Sequence, residues 1–152
     1  MTPTASERAL KLLREVPNPD ECSYNSVLNA MTMTKQTGTE KMVTSAEALF
    51  EEMKELRDKK LLTISEITFH VMMNVYVKSR DSNGAARAEE LLRSMQADGL
   101  SLNATSYNIC IDGYARRGDS EKAKSLLDEM IAVSEVRTEC RPTIHSFAAV
   151  VS

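Results

Sequence analysis

The chain has 152 residues, of which 42% are hydrophobic and none is tryptophan, so it can bury a core about the size of one ordinary domain. Nineteen basic against 22 acidic residues give a formal net charge of −3, which is unlike a protein that holds nucleic acid through a strongly cationic surface. The sequence contains no apolar run long enough for a transmembrane helix, and its three cysteines form no Cys-x-x-Cys pair, which argues against a disulfide framework.

A short apolar pattern, Ala-x-x-Leu-[Leu/Phe]-x-x-[Met/Val], recurs along the chain at intervals of 35 to 42 residues. Its apolar positions have the spacing of one face of a helix. A helix repeated at such intervals is typical of a stack of similar units, in which function lies on a shared surface. In chain order, the copies span residues 9–16, 46–53, 88–95 and 123–130.

A second helix-like element lies between these copies and contains a hydroxyl residue followed by an aromatic residue. Each unit is therefore predicted to be a pair of antiparallel helices, and the fold to be all-α. The aromatics are assigned to the core, because aromatic residues at helical spacing beside Leu and Ile are usually buried, although they could also stack on bases. The aromatics are Tyr24, Phe69, Tyr107 and Phe147.

Local signals predict where these helices begin and end. Thr44 and Glu47 have the spacing of a capping box, which predicts the start of a second helix there. Gly118 is predicted to adopt the left-handed conformation that ends a first helix, and Gly99 to mark the end of a second helix. Residues 35–43 are predicted to be a loop between the two helices of one unit.

The unit at residues 104–143 carries the most specific pattern. It contains Ser-Tyr-Asn at residues 106–108, Ile-Asp-Gly-Tyr at residues 111–114, Gly118, and a second helix of the form Ala-x-x-Leu-Leu-x-Glu-Met. As a set, these motifs resemble the pentatricopeptide repeat family, and the pattern of incomplete first and last units suggests a segment of a longer array. The predicted division is a partial unit at residues 1–20, complete units at 21–65, 66–103 and 104–143, and a partial unit at 144–152.

The resemblance implies a right-handed α-solenoid of antiparallel helix pairs that binds single-stranded RNA, with one base for each unit. In that family, the base is read by the residue just after the first-helix aromatic together with the last residue of the unit. An Asn followed by Ser or Thr implies a pyrimidine, whereas His70 is not a usual reader and its unit need not read a base. The implied pairs are Asn25 with Ser65, His70 with Asn103, and Asn108 with Thr143.

Each of these polar residues also has a purely structural explanation. An Asn in the first turn of a helix is commonly a cap or a solvated side chain, and only its recurrence at one register favours recognition. Lys78 and Arg116 lie nine residues beyond the aromatics of their units, where the resemblance implies contact with the RNA backbone. A solvated surface charge explains either residue equally well.

Two features depart from the family pattern. The complete units are 45, 38 and 40 residues long, whereas family units usually have about 35. An alternative interpretation is a tetratricopeptide-like scaffold that binds a protein partner, as a peptide or helix, in the concave groove. That family would favour a Trp early in the first helix, and the chain has none.

The sequence contains no glycine-rich phosphate loop, no nucleophile elbow and no spacing that supplies three or four metal ligands. We therefore expect no enzymatic activity, no cofactor, no metal, no small-molecule substrate and no membrane association. The resemblance also implies a mitochondrion or a plastid as the location. Residues 1–16 do not themselves resemble a signal peptide or a transit peptide.

Overall fold

A computed structural model describes residues 5–32, 40–79, 82–134, 146 and 150. Within the three continuous ranges, all regular secondary structure is helical, which confirms the predicted all-α class. Phe147 and Thr143 lie outside the described residues. The helices are α1 (Ala5–Glu15), α2 (Glu21–Thr32), α3 (Glu40–Asp58), α4 (Glu66–Lys78), α5 (Gly84–Ala97), α6 (Ala104–Arg116) and α7 (Ser120–Ser134).

The helices pack as a stack of pairs. Helix α2 packs on α3, α4 on α5, and α6 on α7, while α1 packs on α2. The first helices of successive units also contact each other directly, α2 against α4 and α4 against α6. They therefore form one continuous layer along the stack, which is the solenoid arrangement that the sequence predicts.

The core lies between successive units. The described first-helix aromatics Tyr24, Phe69 and Tyr107 are at most 2% exposed, so they serve as packing residues. The repeated Ala, Leu and Met positions of the second helices are buried as well, as the octapeptide pattern predicts. Phe69 of α4 also meets Phe50 of α3 edge to face, with ring centroids 5.5 Å apart.

One predicted helix start is wrong. Helix α3 begins at Glu40, so the proposed start at Thr44 and the end of the predicted loop at residues 35–43 fall inside the helix. The Thr44 hydroxyl donates to the Glu40 carbonyl oxygen at 3.0 Å instead of capping a helix start. A Thr-x-x-Glu spacing therefore does not by itself distinguish a helix start from a helix interior, because a Thr hydroxyl can bond to the preceding turn.

Residues in the left-handed conformation follow four of the described helices. Gly118 has φ of 77° just after α6, as predicted, and Gly99 has φ of 75° just after α5. Asn18 and Lys60 take the same conformation after α1 and α3, with φ of 56° and 61°. In the last turn of α3, the Leu61 amide reaches the Leu56 carbonyl oxygen at 2.8 Å, as in the usual left-handed helix ending.

The difference between Lys60 and Gly99 gives a stability test. A side chain in the left-handed region destabilises the folded state by roughly 1–2 kcal/mol. Glycine removes this strain, but its greater backbone freedom also stabilises the unfolded chain, which offsets part of the gain. Replacing Lys60 by Gly should therefore raise the free energy of unfolding by about 0.5–1 kcal/mol. The reverse change, Gly99→Lys, should lower it by a similar amount. Urea denaturation of both variants measures these effects, and equal shifts of the same sign would contradict the expectation.

Candidate nucleic-acid interface

A repeated hydrogen bond joins the first helices of neighbouring units. The residue just before the aromatic of one unit bonds to the residue just after the aromatic of the preceding unit. We call each such contact a hydroxyl junction. The junctions are Thr68 Oγ1 to the Asn25 side-chain amide at 2.9 Å, Ser106 Oγ to His70 Nε2 at 2.7 Å, and Ser146 Oγ to Asn108 Oδ1.

These junctions place three sequence-predicted residues in one row. Asn25, His70 and Asn108 occupy the same register on α2, α4 and α6, and each is held by the hydroxyl of the next unit. Asn25 is 9% exposed, and its side-chain amide meets the Thr68 hydroxyl. That hydroxyl has one proton, which it donates to the Glu21 carboxylate at 2.7 Å, so it accepts from Asn25 Nδ2. The Asn25 carbonyl oxygen, Oδ1, is therefore the group that the amide can offer to a ligand.

In the units at residues 21–65 and 66–103, the last residue lies beside the same junction. Ser65 is the N-cap of α4, and Asn103 is the N-cap of α6 within a capping box that includes Ser106. Asn103 and His70 thus both contact the hydroxyl of Ser106. The structure brings the two members of this predicted pair to one atom, and it also gives Asn103 a capping role that explains an Asn at this position.

In the first complete unit, a carboxylate links the last residue of the unit to the hydroxyl junction. Glu21 Oε1 accepts from the Ser65 amide at 2.7 Å, from the Ser65 hydroxyl at 2.6 Å and from the Thr68 hydroxyl at 2.7 Å. Burial raises the pKa of Glu21, but the hydrogen bonds from Ser65 and Thr68 outweigh it and hold that pKa below its usual value. Glu21 is therefore ionised at neutral pH and fixes Ser65 next to Asn25.

The structure adds a position that the sequence analysis missed. Three residues before each residue of the row, and so on the same helix face, lie Cys22, Ile67 and Thr105, which are all exposed. Ile67 is 60% exposed, which is unusual for a large apolar side chain at a helix start. An isoleucine two residues before an aromatic gives no sign in the sequence that it faces solvent, because helical periodicity alone assigns it equally well to the core.

The predicted backbone contacts differ in their surroundings. Lys78 at the end of α4 is exposed and has no ion-pair partner among the described residues. Arg116, at the equivalent place in α6, pairs with Asp112 at 2.9 Å, one helical turn before it. An ion pair of this kind is weak where water reaches it, so Arg116 can exchange Asp112 for a phosphate.

Several arginines in or near the second helices join neighbouring units. Each of them is paired with a carboxylate of the next or preceding unit, so its charge is already partly neutralised. The inter-unit pairs are Arg14 with Glu52 at 2.6 Å, Arg87 with Glu47 at 3.2 Å, Arg57 with Asp98 at 3.1 Å and Arg93 with Glu129 at 2.6 Å.

Over the part of the chain that the structure describes, no three His, Cys, Asp or Glu side chains are grouped closely enough to hold a metal ion. Burial raises the pKa of the Cys110 thiol, so it stays protonated and inert within the core. No helix within the described ranges has the length and apolar character needed to cross a membrane.

Comparison with known proteins identifies the repeat. The family model of the PPR repeat matches residues 105–133. A pentatricopeptide repeat-containing protein of Arabidopsis thaliana is 29% identical over 150 residues, which cover 98% of this chain and 24% of the relative. A second Arabidopsis member, named as mitochondrial, is 27% identical and covers 92% of this chain and 20% of its own length. A third, named as chloroplastic, is 31% identical, with coverages of 74% and 13%.

Solved structures show the same fold. The crystal structure of the pentatricopeptide repeat protein PPR10 in complex with an 18-nucleotide psaJ RNA element matches with a TM-score of 0.74 and 24% identity. The match covers 95% of this chain and 19% of PPR10. A form of PPR10 with three Cys-to-Ser substitutions matches with a TM-score of 0.71. The chain thus spans a quarter or less of the length of these relatives.

The Glu21 contacts predict a pH-dependent contribution to stability. Because the folded-state pKa of Glu21 lies below its usual value of 4.5, its contribution is fully present above that value and is lost as the pH falls further. Glu21→Gln should lower the free energy of unfolding by about 1–2 kcal/mol at pH 7 and by less at pH 3. Urea denaturation at the two pH values measures this. Exposed Glu55→Gln on α3 is the control, and an equal loss from both variants would contradict the role of Glu21.

Proposed function

Because this chain belongs to the pentatricopeptide repeat family, we propose that it binds single-stranded RNA along its row of first helices. Binding itself is the function, and it positions the RNA for processing, stabilisation, editing or translation by other factors. The observation that carries the proposal is the row of Asn25, His70 and Asn108, each held at the same register by a hydroxyl junction. An evenly repeated polar position on one face suits a polymer with an evenly repeated base.

We divide the row into reading units at the boundaries that the sequence predicts. Each unit takes one base, and the units are residues 21–65, 66–103 and 104–143.

Relatives named as mitochondrial and chloroplastic favour a mitochondrion or a plastid as the location. Neither an enzymatic step nor a cofactor is part of this function, because RNA is held and not chemically changed.

The chemistry of the first unit fits a base that presents a hydrogen-bond donor. Asn25 Nδ2 is engaged with the Thr68 hydroxyl, so its open Oδ1 is the group that meets the ligand. The exocyclic N–H of cytosine and the ring N–H of uracil can donate this bond. An exposed apolar side chain such as Ile67, on the face that carries His70, can cover the flat surface of a neighbouring base.

Lys78 and Arg116 supply contacts to the RNA backbone. They end α4 and α6 at equivalent positions, so their spacing follows that of the units. Two such cations make a modest electrostatic contribution to the affinity for RNA, and this contribution weakens as the salt concentration rises. The formal net charge of −3 is compatible with this arrangement because many of the acidic residues lie on the second helices.

Removal of two reading amides tests the proposal. In the full-length protein, the double variant Asn25→Ala and Asn108→Ala should lose roughly tenfold or more in affinity for pyrimidine-rich RNA, because two base contacts of about 1 kcal/mol each are removed. Fluorescence anisotropy with pyrimidine-rich and purine-rich single strands measures the effect. Exposed Asn29→Ala on α2 is the matched control. Binding to a peptide or helical partner, with no RNA binding at low salt, would instead favour the protein scaffold.

The Arg116 ion pair gives a test with the opposite sign. Asp112→Asn should release Arg116 for phosphate and remove a nearby negative charge, so RNA affinity should rise about twofold to fivefold at low salt. The gain should shrink as salt increases. Asp128→Asn, which removes an equal charge from the exposed surface of α7, is the control. An equal gain in both variants would show that only the net charge matters.

A further inference from the structure

His70 is the exception in the row of reading residues. Its imidazole stands where the neighbouring units have an Asn, and it is held by the same type of junction, with Nε2 2.7 Å from Ser106 Oγ. An amide and an imidazole differ in what they can offer on the side away from the junction. An Asn offers both a donor and an acceptor group, whereas a neutral imidazole offers one or the other, according to its tautomer.

The surroundings of Ser106 decide that tautomer. Its hydroxyl has one proton and two lone pairs, and it has three partners. The Asn103 amide donates to it at 3.3 Å, so one lone pair is used. Asn103 Oδ1, which lies 3.2 Å away, must be an oxygen because it also accepts from the Ser106 amide at 3.1 Å. The hydroxyl proton therefore goes to Asn103 Oδ1.

One lone pair of Ser106 Oγ remains, and His70 Nε2 must donate to it. The alternative tautomer would take the hydroxyl proton and leave two oxygen lone pairs facing each other across 3.2 Å. The imidazole is thus held with hydrogen on Nε2 and a bare lone pair on Nδ1. Within the described residues, Nδ1 has no hydrogen-bond partner, and it is not among the fully buried polar atoms.

The charges around His70 favour the neutral ring. Burial lowers the pKa of His70, and Glu66, one turn earlier on α4, raises it by less. On the neighbouring first helices, α2 carries only Glu21 as a charged residue, and it is bound to Ser65 and Thr68, while α6 carries the Asp112 and Arg116 pair. On the adjoining second helices, Glu47 of α3 is bound to Tyr76 and Arg87, and Glu89 of α5 to Tyr114 and Arg93.

We propose that His70 makes residues 66–103 a base-reading unit of fixed polarity, in which Nδ1 accepts a hydrogen bond from the base. This inference rests on the proposed RNA binding. Uracil and guanine carry an N–H at the centre of their Watson–Crick edges, whereas cytosine and adenine carry a bare ring nitrogen there. The unit therefore selects uracil or guanine. Protonation of His70 converts its acceptor into a donor and reverses the selection.

The first test is made without RNA. Long-range proton–nitrogen NMR of the full-length protein, labelled with ¹⁵N-histidine, reports which ring nitrogen carries hydrogen and at which pH the ring titrates. His70→Ala identifies the signal. The expected result at pH 7.5 is a neutral ring with hydrogen on Nε2 and a pKa below 6.5. Ser106→Ala should leave a mixture of tautomers. Hydrogen on Nδ1, or a charged ring at pH 7.5, would overturn the proposal.

The second test measures selection. Randomised single-stranded RNA is enriched on the full-length protein and on His70→Ala, and the one position whose preference changes is the base opposite His70. At that position, uracil or guanine should exceed cytosine by about tenfold at pH 7.5, which corresponds to one hydrogen bond. The ratio should fall at pH 5, whereas the preferences at neighbouring positions should stay constant.

The two possible failures can be told apart. If RNA is enriched but no position responds to His70→Ala or to pH, the fixed polarity of His70 is wrong and the RNA-binding function stands. If no RNA is enriched at either pH while the NMR spectrum shows a folded protein, the proposed function is wrong, and the reading role of His70 with it.

Discussion

The structure depends on one constraint, which is that no unit can bury its apolar surface alone. Each first-helix aromatic is covered only when its own second helix and the neighbouring unit pack against it, as Phe69 shows by meeting Phe50 of the preceding unit. The fully buried Met53, Met95 and Met130 occupy the same position in the second helices. Because the core lies between units, the stack must be continuous, and a continuous stack presents equivalent positions of successive units in a row.

Polar contacts then set the register that apolar packing leaves loose. Apolar surfaces can slide, whereas a hydrogen bond requires specific atoms at a specific distance. Tyr76 donates to Glu47 at 2.9 Å and Tyr114 to Glu89 at 2.7 Å, so the same bond joins α4 to α3 and α6 to α5. The Arg117 guanidinium donates to the Tyr76 and Ser79 carbonyl oxygens at the end of α4. The hydroxyl junctions are a second recurring bond, on the layer that carries the reading residues.

The same junctions connect stability with recognition. A residue that reads a base must hold its donor or acceptor in a fixed direction before the RNA arrives, since each freely rotating side chain adds an entropic cost to binding. Thr68 and Ser106 supply that direction from the next unit along the chain. The reading properties of one unit therefore depend on its successor, and a substitution at a buried hydroxyl can alter specificity without touching the RNA.

The sequence was sufficient to predict the helix pairs and their core, because the octapeptide and the aromatics repeat at helical spacing and their burial follows from periodicity alone. It did not predict the early start of α3 at Glu40, since a Thr-x-x-Glu spacing occurs equally well within a helix. Nor did it reveal the exposed Ile67 or the junction between His70 and Ser106, because these depend on the distance between units. His70 departs from the repeat pattern, and the role of such a residue can be inferred only when the atoms around it are known.

The distribution of charge explains how a chain with a net charge of −3 can present a surface suited to RNA. Second-helix carboxylates are neutralised by arginines of neighbouring units, as in the pair between Arg93 and Glu129. On the first helices, Glu21 is satisfied by Ser65 and Thr68, which reduces its repulsion of a nearby phosphate. Lys78 is exposed on the same layer. Because phosphate responds to charge within about a Debye length, this local arrangement governs binding more than the sum over the whole chain.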